Sequence, residues 1–359
     1  MKQYVVEKEK IKRNIKTVVE RAGGAKIYAV VKSDGYGIGC FELAKICSEC
    51  GMRDFAVNTA EEAAAIIDGN IGFDSILKFF PADGAEEIKA LSPAGVIFTV
   101  SSESDAELLN EYGKESGNKP KAHIKIDTGM GRRGFFPSET DRIAALYEKY
   151  KFVDFSGIYT HFSDAYDKKS ANRQFNEFIG VIDALEKRGI NVGEKHICNS
   201  VALFHCNGMN LDAVRVGSAL FGRIAGGAKF GLERTGEYRV TPENIRVAPC
   251  DLHVGYGQFC KVRRGTRLAT FRLGTGDGFG QHGYIGARGL RGTLVTLRRN
   301  LARSRGLNLK FNGRACPVVG FVGPGHCVVD VTAVDCSVND VFVADANPIG
   351  VPKKNVAII

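Results

Sequence analysis

Ile27-Tyr28-Ala29-Val30-Val31-Lys32-Ser33-Asp34-Gly35-Tyr36-Gly37 is the stretch that decides how the chain folds. A short apolar run rich in β-branched residues predicts a strand, and it stops at a lysine. Gly35 and Gly37 break the strand, and helical spacing begins near Cys40-Phe41-Glu42-Leu43-Ala44. A strand that ends this way sets an amine on the rim of a parallel sheet or barrel, where loops build sites. An amine there suits Schiff-base chemistry if its surroundings lower its pKa. A solvated strand-end lysine is the commoner outcome, and the residues that follow decide between the two.

Working outward, residues from about 10 to 225 alternate short apolar runs with amphipathic stretches. Predicted strands are Ile27–Val31, Asp54–Val57, Ser75–Leu77, Gly95–Val100, Ala122–Ile126, Phe155–Thr160, Glu194–Cys198 and Ala213–Val216. Helical patterns lie between them, including Thr59–Asp68, Ser104–Tyr112, Ser138–Lys149, Ala171–Arg188 and Ser200–His205. Such a series fits an α/β (β/α)₈ TIM-type barrel, typically about 250 residues long. A doubly wound sheet is the alternative, and no GxGxxG follows an early strand to support it. Beyond Lys229 the texture changes to runs rich in Val, Thr and Phe between glycines: Val247–Leu252, Thr266–Arg272, Ala315–Val322, Val328–Val331 and Val341–Ala344. These predict a C-terminal all-β domain. The expected division is a barrel domain over 1–236 and a β domain over 237–359, with the linker near Thr235–Pro242.

Composition narrows the function classes. The chain has 359 residues, 44% of them hydrophobic and 25% charged, as in ordinary soluble proteins. Neither a signal-peptide pattern nor a membrane-spanning apolar run is found, so a cytoplasmic protein without a membrane partner is expected. The ten cysteines read as reduced thiols. Cys47 and Cys50 form a CxxC, but no second pair completes a structural zinc set, so no metal site is expected and the pair reads as helix packing. The net charge of +9 owes much to Arg288, Arg291, Arg298, Arg299, Arg303, Arg305 and Lys310, with no acid among them. Aromatic interleaving is sparse there and no nucleic-acid motif accompanies it, so the segment 280–311 reads as a solvated basic loop or hairpin. A site welcoming anionic substrates is the second choice. Nucleic acid is not expected as a partner.

Five groups of segments, in register along the chain, resemble the alanine racemase family of pyridoxal-phosphate enzymes. They are AVVKSDGYG (29–37), HIKIDTGMGRRGF (123–135), GIYTHFSDA (157–165), HICNSVALF (196–204) with AVRVGSALFG (213–222), and HVGYGQF (253–259) with LGTGDGFG (273–280). The resemblance implies a barrel followed by a β domain, pyridoxal 5'-phosphate as cofactor, an amino acid as substrate and a homodimer with shared active sites. It implies that Lys32 holds the cofactor and acts as base on one face. Tyr256, from the partner subunit, would be the base on the opposite face, assisted by His161 and Arg215. Arg215 would also face the pyridine nitrogen, and a fixed cation there limits side reactions. Arg132 would steady the cofactor's phenolic oxygen and the substrate carboxylate, with Lys125 at a position often carbamylated to orient it. His196 would lie against the cofactor ring. Tyr36, Ser200, Gly217 and Ser218 would hold the phosphate, although Ser200 also reads as a helix N-cap.

The second domain departs from the family pattern. Thr275 stands where the family has a tyrosine in Gly-Tyr-Ala-Asp-Gly, and Ile349 stands where a tyrosine shortly precedes Val-Pro. Val328-Val329-Asp330-Val331 replaces a Cys-Met-Asp-Gln segment. Losing two gate tyrosines predicts a wider mouth and a substrate larger than alanine, or broad specificity. The alternatives are another reaction at Cα on the same cofactor (decarboxylation, elimination or aldol cleavage) or a non-catalytic cofactor-binding protein.

Overall fold

The computed structural model describes residues 1–258, 260–281, 293–294 and 306–359. It divides into two compact units, Lys8–Thr235 and Met1–Glu7 with Gly236–Ile359. A first strand, β1 (Lys2–Val6), precedes the barrel. Eight strands then close on themselves in chain order: β2 (Lys26–Val30), β3 (Asp54–Val57), β4 (Ser75–Lys78), β5 (Val96–Val100), β6 (Lys121–Lys125), β7 (Asp154–Tyr159), β8 (Glu194–Asn199) and β9 (Ala213–Val216). Each pairs in parallel with the next, and β2 pairs with β9, Lys26 opposite Ala213 and Ala29 opposite Val216.

The helices follow from local chemistry. Ala60–Asp68 starts at Thr59, whose hydroxyl accepts from Glu62 N while the Glu62 carboxylate returns to Thr59 N. Ser102 and Asp105 form the same reciprocal cap on Glu103–Ser116. A barrel strand covered on both faces can be buried along its whole length, as in Val96–Val100, where all five residues are buried and only Thr99 is polar. Inside the barrel, the period of two sets Lys26, Tyr28 and Val30 on one face of β2 and Glu194 and His196 on one face of β8. An apolar group of Tyr28, Val30, Ala56, Leu77, Ile97 and Ala213 lies there. Beside it runs a polar layer in which Lys26 pairs with Asp54 and Glu194, and the Tyr28 hydroxyl donates to Glu194.

The second unit is built on β10 (Glu237–Val240), β11 (Asn244–Val247), β12 (Leu252–Val254), β13 (Cys260–Val262), β14 (Arg267–Phe271), β15 (Asn308–Phe311), β16 (Arg314–Val319), β17 (Cys327–Asp330), β18 (Phe342–Ala344) and β19 (Val356–Ile358). One sheet runs β11-β14-β17-β16-β15-β18-β10-β1-β19, and β12 and β13 form a separate hairpin. Three expectations are corrected. The N-terminal residues do not join the barrel: β1 pairs with β10 and β19, and Tyr4 Oη donates to Ala346 O. The supposed linker contains a strand, because Tyr238 and Val240 alternate into the interior of this sheet. The run Val247–Leu252 is not one strand. β11 stops at Val247, two residues before Pro249, which has no N–H to give a ladder. The arginines of the basic segment, Arg288 to Arg305, lie outside the described residues, while Lys310 is exposed on β15.

Among the described residues no helix is long and apolar enough to cross a membrane.

Candidate active site

A cavity of about 370 Å³ opens in the barrel unit at the C-terminal ends of the strands, as barrel architecture leads one to expect. Lys32 enters it just beyond β2. Burial lowers the pKa of its amine, and the charges of Arg132 and Arg215 lower it further against the opposing pull of Glu62. The Phe79 ring lies 5.7 Å from Nζ. The backbone after the lysine turns left-handed: Ser33, Asp34, Gly35 and Tyr36 have φ of 55°, 49°, 61° and 57°. Three of these are not glycine, a conformation that costs each roughly 1–2 kcal/mol. Glu62 offsets that cost, because its carboxylate accepts from Asp34 N at 3.0 Å and Asn58 N at 2.7 Å. Asp34 in turn accepts from Cys40 N at 2.9 Å. The turn therefore carries Tyr36 back under the site, its hydroxyl so close to Gly217 that a Cβ there would lie 2.0 Å from it.

Arg132 comes from the loop after β6. Asp127 organises that loop: Oδ1 accepts from the N–H groups of Gly129, Met130 and Gly131, and Oδ2 from that of Arg132, all at 2.8–3.0 Å. Burial works against its charge, yet these N–H groups and Lys125 hold its carboxyl below the usual range. Lys125 donates to Arg133 O at 2.8 Å. Its pKa falls to about 8 because it is buried and because Arg132 and Arg215 repel its proton, against the attraction of Asp127.

Arg215, on β9, is almost wholly buried. Its Nη2 donates to Thr160 O at 2.6 Å and Ile197 O at 3.2 Å and lies 3.4 Å from His161 Nδ1. Its Nη1 meets His196 Nδ1 at 2.5 Å, and its charge stands 5.2 Å over the Tyr159 ring. Its Nε is buried and, among the described residues, has no hydrogen-bond partner. At the other end of the cavity the Ser200 hydroxyl accepts from Gly217 N at 3.0 Å and Ala219 N at 3.2 Å. The cap of the helix Ser200–His205 is Asn199, whose side chain accepts from Val201 N and Ala202 N, so Ser200 is not the N-cap.

A model of the alanine racemase N-terminal domain matches residues 6–224. The chain belongs to the alanine racemase family. It is 29% identical over 334 residues to alanine racemase of Methanococcus maripaludis, covering 90% of this chain and 83% of that one. It is 31% identical over 330 residues to alanine racemase 2 of Caldanaerobacter subterraneus, covering 90% and 79%. The alanine racemase of a D-cycloserine-producing Streptomyces lavendulae superposes with a TM-score of 0.80 at 23% identity, over 96% of this chain and 87% of that one. The biosynthetic alanine racemase of Pseudomonas aeruginosa does so with 0.81 at 21%, over 99% and 92%. These two likenesses concern the fold. As a member of the family, the chain is an amino-acid racemase dependent on pyridoxal 5'-phosphate.

The residues of this alanine racemase family member fit that cofactor. Lys32, Lys125, Arg132, Arg133 and Arg215 line the cavity and, among the described residues, no carboxylate does. An anionic phosphate and phenolic oxygen suit such a lining. The unpartnered Nε of Arg215 is a donor awaiting an acceptor, as a ring nitrogen would be.

Of the residues expected from sequence, Lys32, Tyr36, Arg132, His161, Ser200, Arg215, Gly217 and Ser218 all line this cavity. His196 does not. It lies one layer deeper, wholly buried, stacked 5.0 Å from Tyr159 and bonded to Arg215, so the place against a cofactor ring is not its own. Tyr256 belongs to the other unit, in the turn between β12 and β13, and is 74% exposed. Phe259, which closes that motif, lies outside the described residues. Sequence reading passed over Asn58, Phe79, Tyr159 and Asn199, which also line the cavity. A usable signal existed: each is the last residue of a barrel strand or the next one.

Proposed function

We propose that the chain interconverts L- and D-alanine by moving a proton at Cα between two bases, Lys32 on one face and Tyr256 of a second subunit on the other. The observation that carries this reading is the Lys32 amine, buried among cations and held below its ordinary pKa in a cavity that no carboxylate lines among the described residues. A lysine held below its ordinary pKa gives up its proton more readily, and the neutral amine can take one from Cα. When bound, the cofactor withdraws electrons from Cα and acidifies its hydrogen. Arg132 binds and orients the substrate carboxylate, Arg215 offers Nε to the ring nitrogen, and Tyr36, Ser200, Gly217 and Ser218 anchor the phosphate. Tyr256 suits a donated base because it stands exposed in a short turn, as a residue completing another subunit's site must.

Alanine is the substrate named for the relatives. The expectation of a larger substrate is not supported by them and rests on Thr275 and Ile349. Those two positions occupy adjoining turns, since a Cβ on Gly278 would lie 2.7 Å from the Gly350 carbonyl carbon. The two changes therefore lie side by side within the C-terminal unit. Racemisation of alanine against serine, leucine, lysine and glutamate, followed by chiral chromatography in deuterated water, tests the reading. Alanine turnover with Cα deuterium in both enantiomers, lost in Lys32→Ala and Tyr256→Phe, is the expected result. Faster turnover of a bulkier amino acid would transfer the assignment to the wide-mouth reading, and product without inversion would remove racemisation.

A further inference from the structure

The two histidines behind the site, which the reaction itself does not touch, have a defined direction of hydrogen bonding. A guanidinium can only donate, so at the 2.5 Å contact with Arg215 Nη1 the Nδ1 of His196 is an acceptor. The ring proton of His196 is then on Nε2, and Nε2 lies 2.9 Å from His123 Nδ1. His123 Nδ1 accepts in turn, which leaves its own proton on Nε2, on the side of Gly157. That position is tightly framed: a Cβ on residue 157 would stand 2.4 Å from His123 Nε2, so glycine on β7 is what lets the imidazole occupy its place.

We infer that His123 is a positioning residue for the racemase site, holding His196 in the tautomer that accepts from Arg215 and so keeping the guanidinium aimed by its Nε. This rests on the proposed role of Arg215. The physical reason is that the other His196 tautomer would set an N–H against an N–H of Arg215. With only Thr160 O, Ile197 O and His161 to hold it, the guanidinium would then rotate. The surroundings keep both imidazoles neutral. Burial, Lys26 below and Arg215 above lower the pKa of His123 to about 3, and burial and Arg215 lower that of His196. Glu194 faces the pair too, with ligand atoms of His123, Glu194 and His196 all within 4.8 Å, but it is taken by Lys26 and Tyr28. Since the imidazoles use their facing nitrogens on each other and on Arg215, this cluster is a hydrogen-bond relay and not a metal site.

Nitrogen-15 NMR of histidine-labelled protein without cofactor reads the tautomers directly, whatever reaction the enzyme performs. Both His196 and His123 are expected as neutral Nε2–H forms from about pH 5 to about pH 9. In His123→Leu, His196 is expected to populate both tautomers, and in the holoenzyme kcat is expected to fall about tenfold with KM changed much less. His123→Asn, whose side-chain oxygen can replace the acceptor, is expected to restore the single tautomer and most of kcat. A wild-type His196 carrying its proton on Nδ1, or titrating near 6.5, overturns the inference even if no variant folds. So does a His123→Leu enzyme with unaltered tautomer and kcat. Failure of the racemase reading leaves the spectra of the free protein unaffected, which separates the two.

Discussion

At the scale of single residues, the barrel mouth shows how charge on the protein prepares an amine. Lys125 is the clearest titrating case. Its pKa is about 8 in the folded chain and ordinarily 10.5, so between those values the unfolded chain holds a proton that the folded chain lacks. Stability contributed by this residue therefore rises with pH across that window. Urea midpoints of the cofactor-free protein at the two ends of it should differ less in Lys125→Met than in wild type. Equal differences would mean that Lys125 does not titrate there. The place of Lys32 was legible in the sequence because a β-branched run that ends in a lysine is a local pattern, whereas its role came only with the family resemblance. The place of His196 was not. Its sequence neighbours place it on a strand that faces the barrel interior, but only the closed barrel shows that Arg215 and Tyr159 come between it and the cavity.

At the scale of elements, two carboxylates shape the loops that carry the chemistry. Glu62 accepts three backbone N–H groups, from Asp34, Asn58 and Thr59, and so ties the left-handed turn after Lys32 to the start of the helix Ala60–Asp68. Glu62→Ala should destabilise the protein by about 1–3 kcal/mol in chemical denaturation. It should also speed amide exchange at Asp34, where unaltered exchange would show the tie to be dispensable. Asp127→Ala frees four N–H groups in the Arg132 loop and is expected to raise KM for the amino acid severalfold as well as lower stability. An unchanged KM would uncouple this loop from carboxylate binding. The eight barrel strands were readable from their short apolar runs, nearly residue for residue. Left-handed φ at Ser33, Asp34 and Tyr36 was not, since nothing in those side chains asks for it and the cause lies in Glu62, 28 residues beyond Asp34.

At the scale of the whole molecule, the proposed sharing of sites has a simple test. Lys32→Ala and Tyr256→Phe, each inactive alone, should regain about a quarter of wild-type activity after unfolding and refolding together, because half the dimers are mixed and each has one intact site. No recovery would place both bases in one chain. The division into two units was visible as a change in sequence texture, but the membership of β1 was not, since five residues of strand pattern give no hint of which sheet will take them. Its placement bears on how the protein is made. β1 leaves the ribosome before any part of the barrel, whereas its two neighbours, β10 and β19, follow the barrel. The last sheet cannot close until β19 has been translated, so the barrel can complete its own ladder while the first strand waits with its edges open.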